Sequence, residues 1–128
     1  WFDDSKGTNP AATAKSLEGF ADRSVHLILG GINKGADLGV LAPLVRTKAV
    51  RLYLIGKAAD EMATALGNDA PFEHSETLAR AVEAAAAQAK SGENVVLSPA
   101  CASFDQFQNF EDRGRQFQAL ARAVVERS

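Results

Sequence analysis

The sequence predicts an α/β fold, a single three-layer Rossmann-like domain with a mainly parallel sheet flanked by helices. Two observations carry this expectation. Short, near-continuous apolar runs at 25–29, 50–55 and 95–97 are stopped by Gly30-Gly31, Gly56 and Ser98-Pro99, and helical apolar stripes fill the stretches between them. Strands that are apolar almost throughout, rather than at every second position, are those buried on both faces of a parallel sheet. The 128 residues, 46% apolar and 23% charged, suit one core and leave no room for a second. That composition excludes general disorder.

In chain order, Trp1 and Phe2 form a weak first strand candidate. Pro10 opens a helix behind Asn9: the asparagine side chain can accept a backbone N–H, and proline suits the first helical position. Ala14, Leu17 and Phe20 share the inner face of that helix. The run at 25–29 is the first clear strand, interrupted only by His26. Near Val40 only a short helix can start, with Pro43 in its first turn. The strand at 50–55 is followed by Ala59, Met62, Ala63 and Leu66 at helical spacing, closed by Gly67. Phe72 marks another weak strand. Leu78, Val82, Ala85 and Ala89 form the stripe of a longer helix ending near Gly92. Beyond the strand at 95–97, Phe107, Phe110, Phe117, Leu120 and Val124 recur at helical steps, with Gly114 completing the row. The phenylalanines of that row are predicted to be core.

Composition also narrows the functional class. A formal charge of −2 gives no whole-domain basic field, which argues against nucleic acid or an anionic membrane as partner. No apolar run approaches the roughly 18–20 residues of a membrane span, and no signal-peptide pattern opens the chain. A single cysteine cannot form an internal disulfide or a cysteine-rich zinc site, which suits a reducing cytosol. The opening at Trp1-Phe2 predicts a chain cut from a longer polypeptide near a domain boundary, the alternative being a processed small protein.

In open α/β sheets, ligands bind beyond the carboxyl ends of the strands. Three polar loops are predicted to reach that position: residues 3–9 before the first helix, residues 30–35 after the first clear strand, and residues 98–105 after the last. Taken singly, each has a plain reading. Asp4 and Asn9 serve as turn and cap residues, the glycine pair reverses the chain, Lys34 is solvated, and Ser103 or Asp105 caps the final helix. Taken together, two lysines, two hydroxyls and helix N-termini on one rim suit a ligand carrying carboxylates or phosphates. Other residues are discounted. His26 is expected in the core, while His74 and Glu73 are expected in a connection without metal-ligand spacing. Cys101, between two alanines, is expected to pack as a small apolar residue. Neither a G-x-x-x-x-G-K-[ST] nor a G-x-G-x-x-G pattern occurs.

Three blocks carry a resemblance over essentially the whole chain: Asp4-Ser5-Lys6-Gly7-Thr8-Asn9, Gly30-Gly31-Ile32-Asn33-Lys34, and Ser98-Pro99-Ala100-Cys101-Ala102-Ser103 with Asp105-Gln106-Phe107 and Asn109-Phe110-Glu111 behind it. In order and spacing they resemble the C-terminal domain of the Mur ligase family of peptidoglycan synthesis. Lys6 and Thr8 resemble its D-glutamate-adding branch, where other branches and the folylpolyglutamate synthases carry an aspartate-tyrosine-alanine-histidine type of sequence. Gly7 and Phe104 depart from the commoner alanine and leucine.

The resemblance implies that residues 1–128 are the amino-acid-receiving domain of a three-domain, cytoplasmic bacterial enzyme. An N-terminal UDP-binding domain and a central ATPase domain would lie outside this chain, the central one holding most of the ATP and Mg2+ contacts. The implied partners are UDP-N-acetylmuramoyl-L-alanine, D-glutamate and those two domains. By the same resemblance, Thr8 and Lys34 would hold the side-chain carboxylate of D-glutamate. Ser103 and the backbone N–H of Phe110 would take its α-carboxylate, and Asp4 and Lys6 would face the nucleotide. No residue of these loops stands out as general base, and no metal ligand is expected here. The chain alone is expected to be inactive. The alternatives are a domain of another Mur or folylpolyglutamate-type ligase and a stand-alone α/β binding module.

Overall fold

The computed structural model describes residues 1–33, 35–101 and 106–127. Its elements are β1 (Phe2–Asp3), α1 (Pro10–Glu18), β2 (Val25–Gly30), a 3-10 turn (Leu38–Leu41), α2 (Ala42–Lys48), β3 (Ala49–Ile55), α3 (Ala59–Leu66), β4 (Phe72–Glu76), α4 (Leu78–Gln88), β5 (Asn94–Leu97) and α5 (Phe110–Arg127). The strands form one sheet in the order β1-β5-β2-β3-β4. Every pairing is parallel. The expected α/β arrangement is therefore present, with a sheet that is wholly rather than mainly parallel.

The unbroken apolar runs have their predicted cause. Every residue of β2 is buried, because alternate side chains enter two different cores. Leu27 and Leu29 join Leu52, Leu54 and Val96 on the face covered by α1, α2 and α3. Ile28 joins Tyr53, Ile55, Val95 and Leu97 beneath α4 and α5, where Val82 and Phe117 complete the layer. Asn9 caps α1 by accepting the N–H of Ala12, and Pro10 follows it as expected. Pro43 lies in the first turn of α2, directly after the 3-10 turn.

Three expectations need correction. His74 and Glu73 do not lie in a connection: they belong to β4, an edge strand whose exposed residues lack the apolar pattern of the inner strands. The fourth helix ends at Gln88, not near Gly92, because Ala89 is already extended with ψ 134°. Gly92 instead supplies the left-handed position, φ 88°, of the turn into β5. The phenylalanine row is also not uniformly core. Phe117 is buried and Phe107 packs against the same cluster ahead of the helix, but Phe110, the first residue of α5, is 39% exposed.

Topology places the candidate loops. From β2 the chain steps outward to β3 and β4, and β5 returns to the other side of β2. The reversal opens a crevice at the carboxyl ends of β2 and β5, where the loops that begin at Gly31 and Ser98 emerge.

Candidate functional site

The three loops are joined by backbone hydrogen bonds at the carboxyl end of the sheet. Gly30 N–H donates to Pro99 O at 3.0 Å, tying the loop after β2 to that after β5. Ala100 N–H donates to Gly7 O at 2.9 Å, and Asp4 N–H to Leu97 O at 2.7 Å, tying the β1–α1 loop to the same neighbour. Gly30 is required at this junction. With φ 135°, a Cβ there would stand 1.9 Å from Ile55 O.

Asp4 is the polar centre of the first junction. Its Oδ2 accepts the hydroxyls of Ser16 and Ser98, both at 2.6 Å, while Thr13 Oγ1 donates to Ser98 O at 3.0 Å. The turn reading of Asp4 is realised by its backbone carbonyl, which accepts Gly7 N–H at 2.8 Å; Oδ1 has no hydrogen-bond partner among the described residues. Thr8 is half-buried, its N–H bonded to Lys6 O at 2.8 Å. Lys6 is exposed, with no ion pair among the described residues. It shares a shallow cleft of about 390 Å³ with Asp3, Ser5, Phe110, Glu111 and Gly114.

Phe110 thus stands beside Lys6 across this cleft. Its backbone N–H belongs to the first turn of α5, where no intrahelical acceptor exists. Asn109 caps the helix by accepting Asp112 N–H on Oδ1 at 2.8 Å and Arg113 N–H on its carbonyl at 3.2 Å. The Phe110 N–H keeps no partner among the described residues, as an anion-binding donor requires. Nearby, the backbone N–H of Gln108 and then the Gln116 side chain hold the Asp112 carboxyl below its ordinary range.

Lys34 and Ser103 lie outside the described residues. The neighbours of Lys34 are firmly set: Asn33 Oδ1 accepts Ala36 N–H at 3.0 Å, and its Nδ2 donates to Ala36 O at 3.1 Å and to Glu61 at 2.8 Å. Cys101, two residues before Ser103, is buried with the α1–α3 core, as its alanine neighbours predicted.

Sequence reading missed the residue that knits this rim together. Arg113 is completely buried. Its Nε donates to Ser5 Oγ at 2.9 Å, Nη1 to Cys101 O at 2.9 Å and Nη2 to Ser5 O at 2.6 Å. Ser5 Oγ in turn donates to Phe110 O at 2.5 Å. No motif marks such a residue, since most of its acceptors among the described residues are backbone carbonyls.

His26 has the expected core role. It is 1% exposed, with Nδ1 2.8 Å from the Tyr53 hydroxyl and Nε2 2.8 Å from Glu93. A carboxylate only accepts, so Nε2 carries the hydrogen, and in the neutral ring Nδ1 accepts from Tyr53. Burial pushes the Tyr53 hydroxyl well above its usual range, while the His26 hydrogen bond holds Glu93 below the carboxylate range. This group sits at the start of β2, away from the loops.

An all-parallel sheet with helices on both faces and three hydrogen-bonded loops at its carboxyl end defines a Rossmann-like α/β domain. The family model described as the Mur ligase, glutamate ligase domain matches residues 1–101, and the chain belongs to that family. A relative from Koribacter versatilis is 46% identical over 126 residues, covering 98% of this chain and 27% of its own length. Another, from Desulfatibacillum aliphaticivorans, is 44% identical over 124 residues, covering 97% of this chain and 27% of its own. A third, from Geobacter sp. strain M21, is 46% identical over 123 residues, covering 96% and 27%. All three bear the name UDP-N-acetylmuramoylalanine--D-glutamate ligase. The chain thus spans about a quarter of the length of the curated relatives it matches. Among the described residues, no helix is long and apolar enough to cross a membrane.

Proposed function

We propose that residues 1–128 form the amino-acid-receiving domain of an ATP-dependent, cytoplasmic bacterial ligase that joins D-glutamate to UDP-N-acetylmuramoyl-L-alanine. The observation that supports this most is the coincidence of two things. The chain matches ligases of that name over nearly its whole length, and the loops carrying its motif blocks adjoin on one rim.

In the proposed reaction the L-alanine carboxylate takes the γ-phosphoryl group of ATP to become an acyl phosphate, and ADP leaves. The D-glutamate amine attacks the carbonyl carbon, phosphate leaves, and the nitrogen loses a proton as the amide forms. Magnesium would offset the phosphate charge, held with most of the nucleotide by a central domain outside this chain. The part of this chain is to hold and aim the amino acid. Thr8 and Lys34 would bind its side-chain carboxylate, and Ser103 with the Phe110 N–H its α-carboxylate. Hydrogen bonds to charged groups contribute about 1.5–3 kcal/mol each. Clamping both ends orients the amine, and well-oriented reactants can lower a barrier by roughly 7–11 kcal/mol. Asp4 and Lys6 would face the nucleotide, and closure of this domain over it would keep water from the acyl phosphate.

The test is Lys34→Ala in the full-length enzyme, followed by phosphate release under varied D-glutamate. The KM for D-glutamate should rise while that for UDP-N-acetylmuramoyl-L-alanine holds. An unchanged KM for D-glutamate would refute the role assigned to Lys34.

A further inference from the structure

We infer that Arg113 is a positioning residue for the amino-acid site, its guanidinium setting the β1–α1 loop, the β5–α5 loop and the first turn of α5 in one register. The inference rests on the D-glutamate reading above and adds a residue to it. The Arg113 fork reaches the carbonyl and hydroxyl of Ser5 and the carbonyl of Cys101, and the Ser5 hydroxyl passes the connection on to Phe110 O. Every segment so joined carries a proposed ligand group within three residues. Lys6 follows Ser5 directly and Thr8 comes two later; Ser103 lies two beyond Cys101; Phe110 is one helical turn before Arg113. Lys34 belongs to the remaining loop and serves as the comparison.

Simple adhesion does not explain an arginine here. A buried charge costs free energy unless its donors are met, and well-packed apolar side chains hold a helix to a sheet as well or better. What an apolar contact lacks is direction. A planar guanidinium with several donors in fixed geometry can set carbonyls of two separate loops relative to each other, which one ammonium cannot do. A misplacement of about 1 Å in a binding constellation can cost on the order of 100-fold in rate. That is the scale on which such a register matters.

The experiment compares Arg113→Lys, Arg113→Ala and Lys34→Ala in the full-length enzyme. Each is followed by the KM for D-glutamate, the KM for UDP-N-acetylmuramoyl-L-alanine and the melting temperature. Arg113→Lys keeps charge and bulk but loses the fork, so the KM for D-glutamate should rise roughly 10- to 100-fold, with that for the UDP substrate unchanged. In Arg113→Ala, added guanidinium at millimolar concentration should restore part of kcat/KM for D-glutamate, and sodium chloride of equal strength should not. If Lys34→Ala raises the KM for D-glutamate and Arg113→Lys does not, the positioning role is overturned while the D-glutamate reading stands. If neither variant changes it, the reading fails and the inference with it. Both KM values rising together with a lower melting temperature would make Arg113 purely structural and overturn the inference. Should both arginine variants fail to fold, Ser5→Ala decides. A rise confined to the D-glutamate KM supports the inference, and unaltered kinetics overturns it.

Discussion

Replacing Gly114 by alanine sets two effects of opposite sign against each other. In the middle of a helix the change should stabilise by about 1 kcal/mol, since alanine is the better helix former. Gly114 lies within α5, so a reading from sequence alone predicts that gain. The structure predicts the reverse. A Cβ at this position would stand 2.8 Å from Asp3 Oδ2, 3.2 Å from Asp3 Oδ1 and 3.2 Å from Ser5 Cβ. The Asp3 carboxylate is already used, accepting Ser5 N–H at 3.0 Å and the Gln118 side chain at 2.6 Å. It is exposed and can swing away, so losing these bonds costs only about 0.5–1 kcal/mol each. Ser5 cannot swing, because Arg113 and Phe110 hold it on both sides. Crowding a site that cannot relax typically costs about 1–3 kcal/mol. The losses exceed the gain, and a net destabilisation of about 1–3 kcal/mol is expected. Urea unfolding of the 128-residue chain measures it as a lowered midpoint at constant slope. The same substitution in an Asp3→Ala background should cost less, because one of the two obstacles is gone. A raised midpoint for Gly114→Ala would refute the reasoning, showing that the β1–α1 loop yields freely and the tie at Ser5 is slack.

The buried histidine yields two further expectations. Tyr53→Phe removes the donor to His26 Nδ1 inside the core and should cost about 1–3 kcal/mol, read from urea midpoints; an unaltered midpoint would mean that the ring nitrogen finds another donor. Glu93 is held below the carboxylate range first by His26 and then by the N–H of Lys90. Its contribution is therefore present above the unfolded carboxylate pKa, about 4.3, and is lost as pH falls through the lowered value. Melting curves against pH should show the wild-type chain and Glu93→Gln converging under acid, and a stability gap independent of pH would count against the ionised Glu93 carboxylate as the acceptor of these hydrogen bonds. On the alkaline side Tyr53 acts in the opposite sense. Its raised pKa means that stability is lost as pH climbs beyond the ordinary tyrosine value.

The parts of the fold legible in the sequence are those whose cause is local. β2 lies under helices on both faces, so its apolar run is unbroken, and a single strand's composition reveals a two-sided burial. β4 lies at an edge with Phe72 and His74 exposed, and nothing in Phe-Glu-His-Ser-Glu distinguishes it from a loop until β3 is beside it. The stripe through Ala89 continues the α4 period, yet the chain leaves the helix there to make its turn at Gly92; periodicity carries no information about where the next strand must start. Phe110 kept step with the core row but opens the helix at the rim, where it is exposed and its N–H has no partner among the described residues. The site divides in the same way. That the loops adjoin was legible, because parallel strands end together. Arg113 was not, because its partners among the described residues are Ser5, 108 residues away, and a carbonyl 12 residues away, contacts that leave no spacing to read.

Asp4 shows why plain and functional readings of a loop residue need not compete. Two hydroxyls, from α1 and from the end of β5, fix Oδ2, and its backbone N–H is bound to Leu97 O. A carboxylate held at one oxygen and at its own backbone has few ways left to place the other. Oδ1, without a partner among the described residues, is thereby set before any ligand arrives, and the ordering cost that binding would otherwise incur has been met in folding. Arg113 does for the backbone of two loops what Ser16 and Ser98 do for this one side chain. In the proposed reading, Asp4 would then meet a nucleotide without rearrangement of its own.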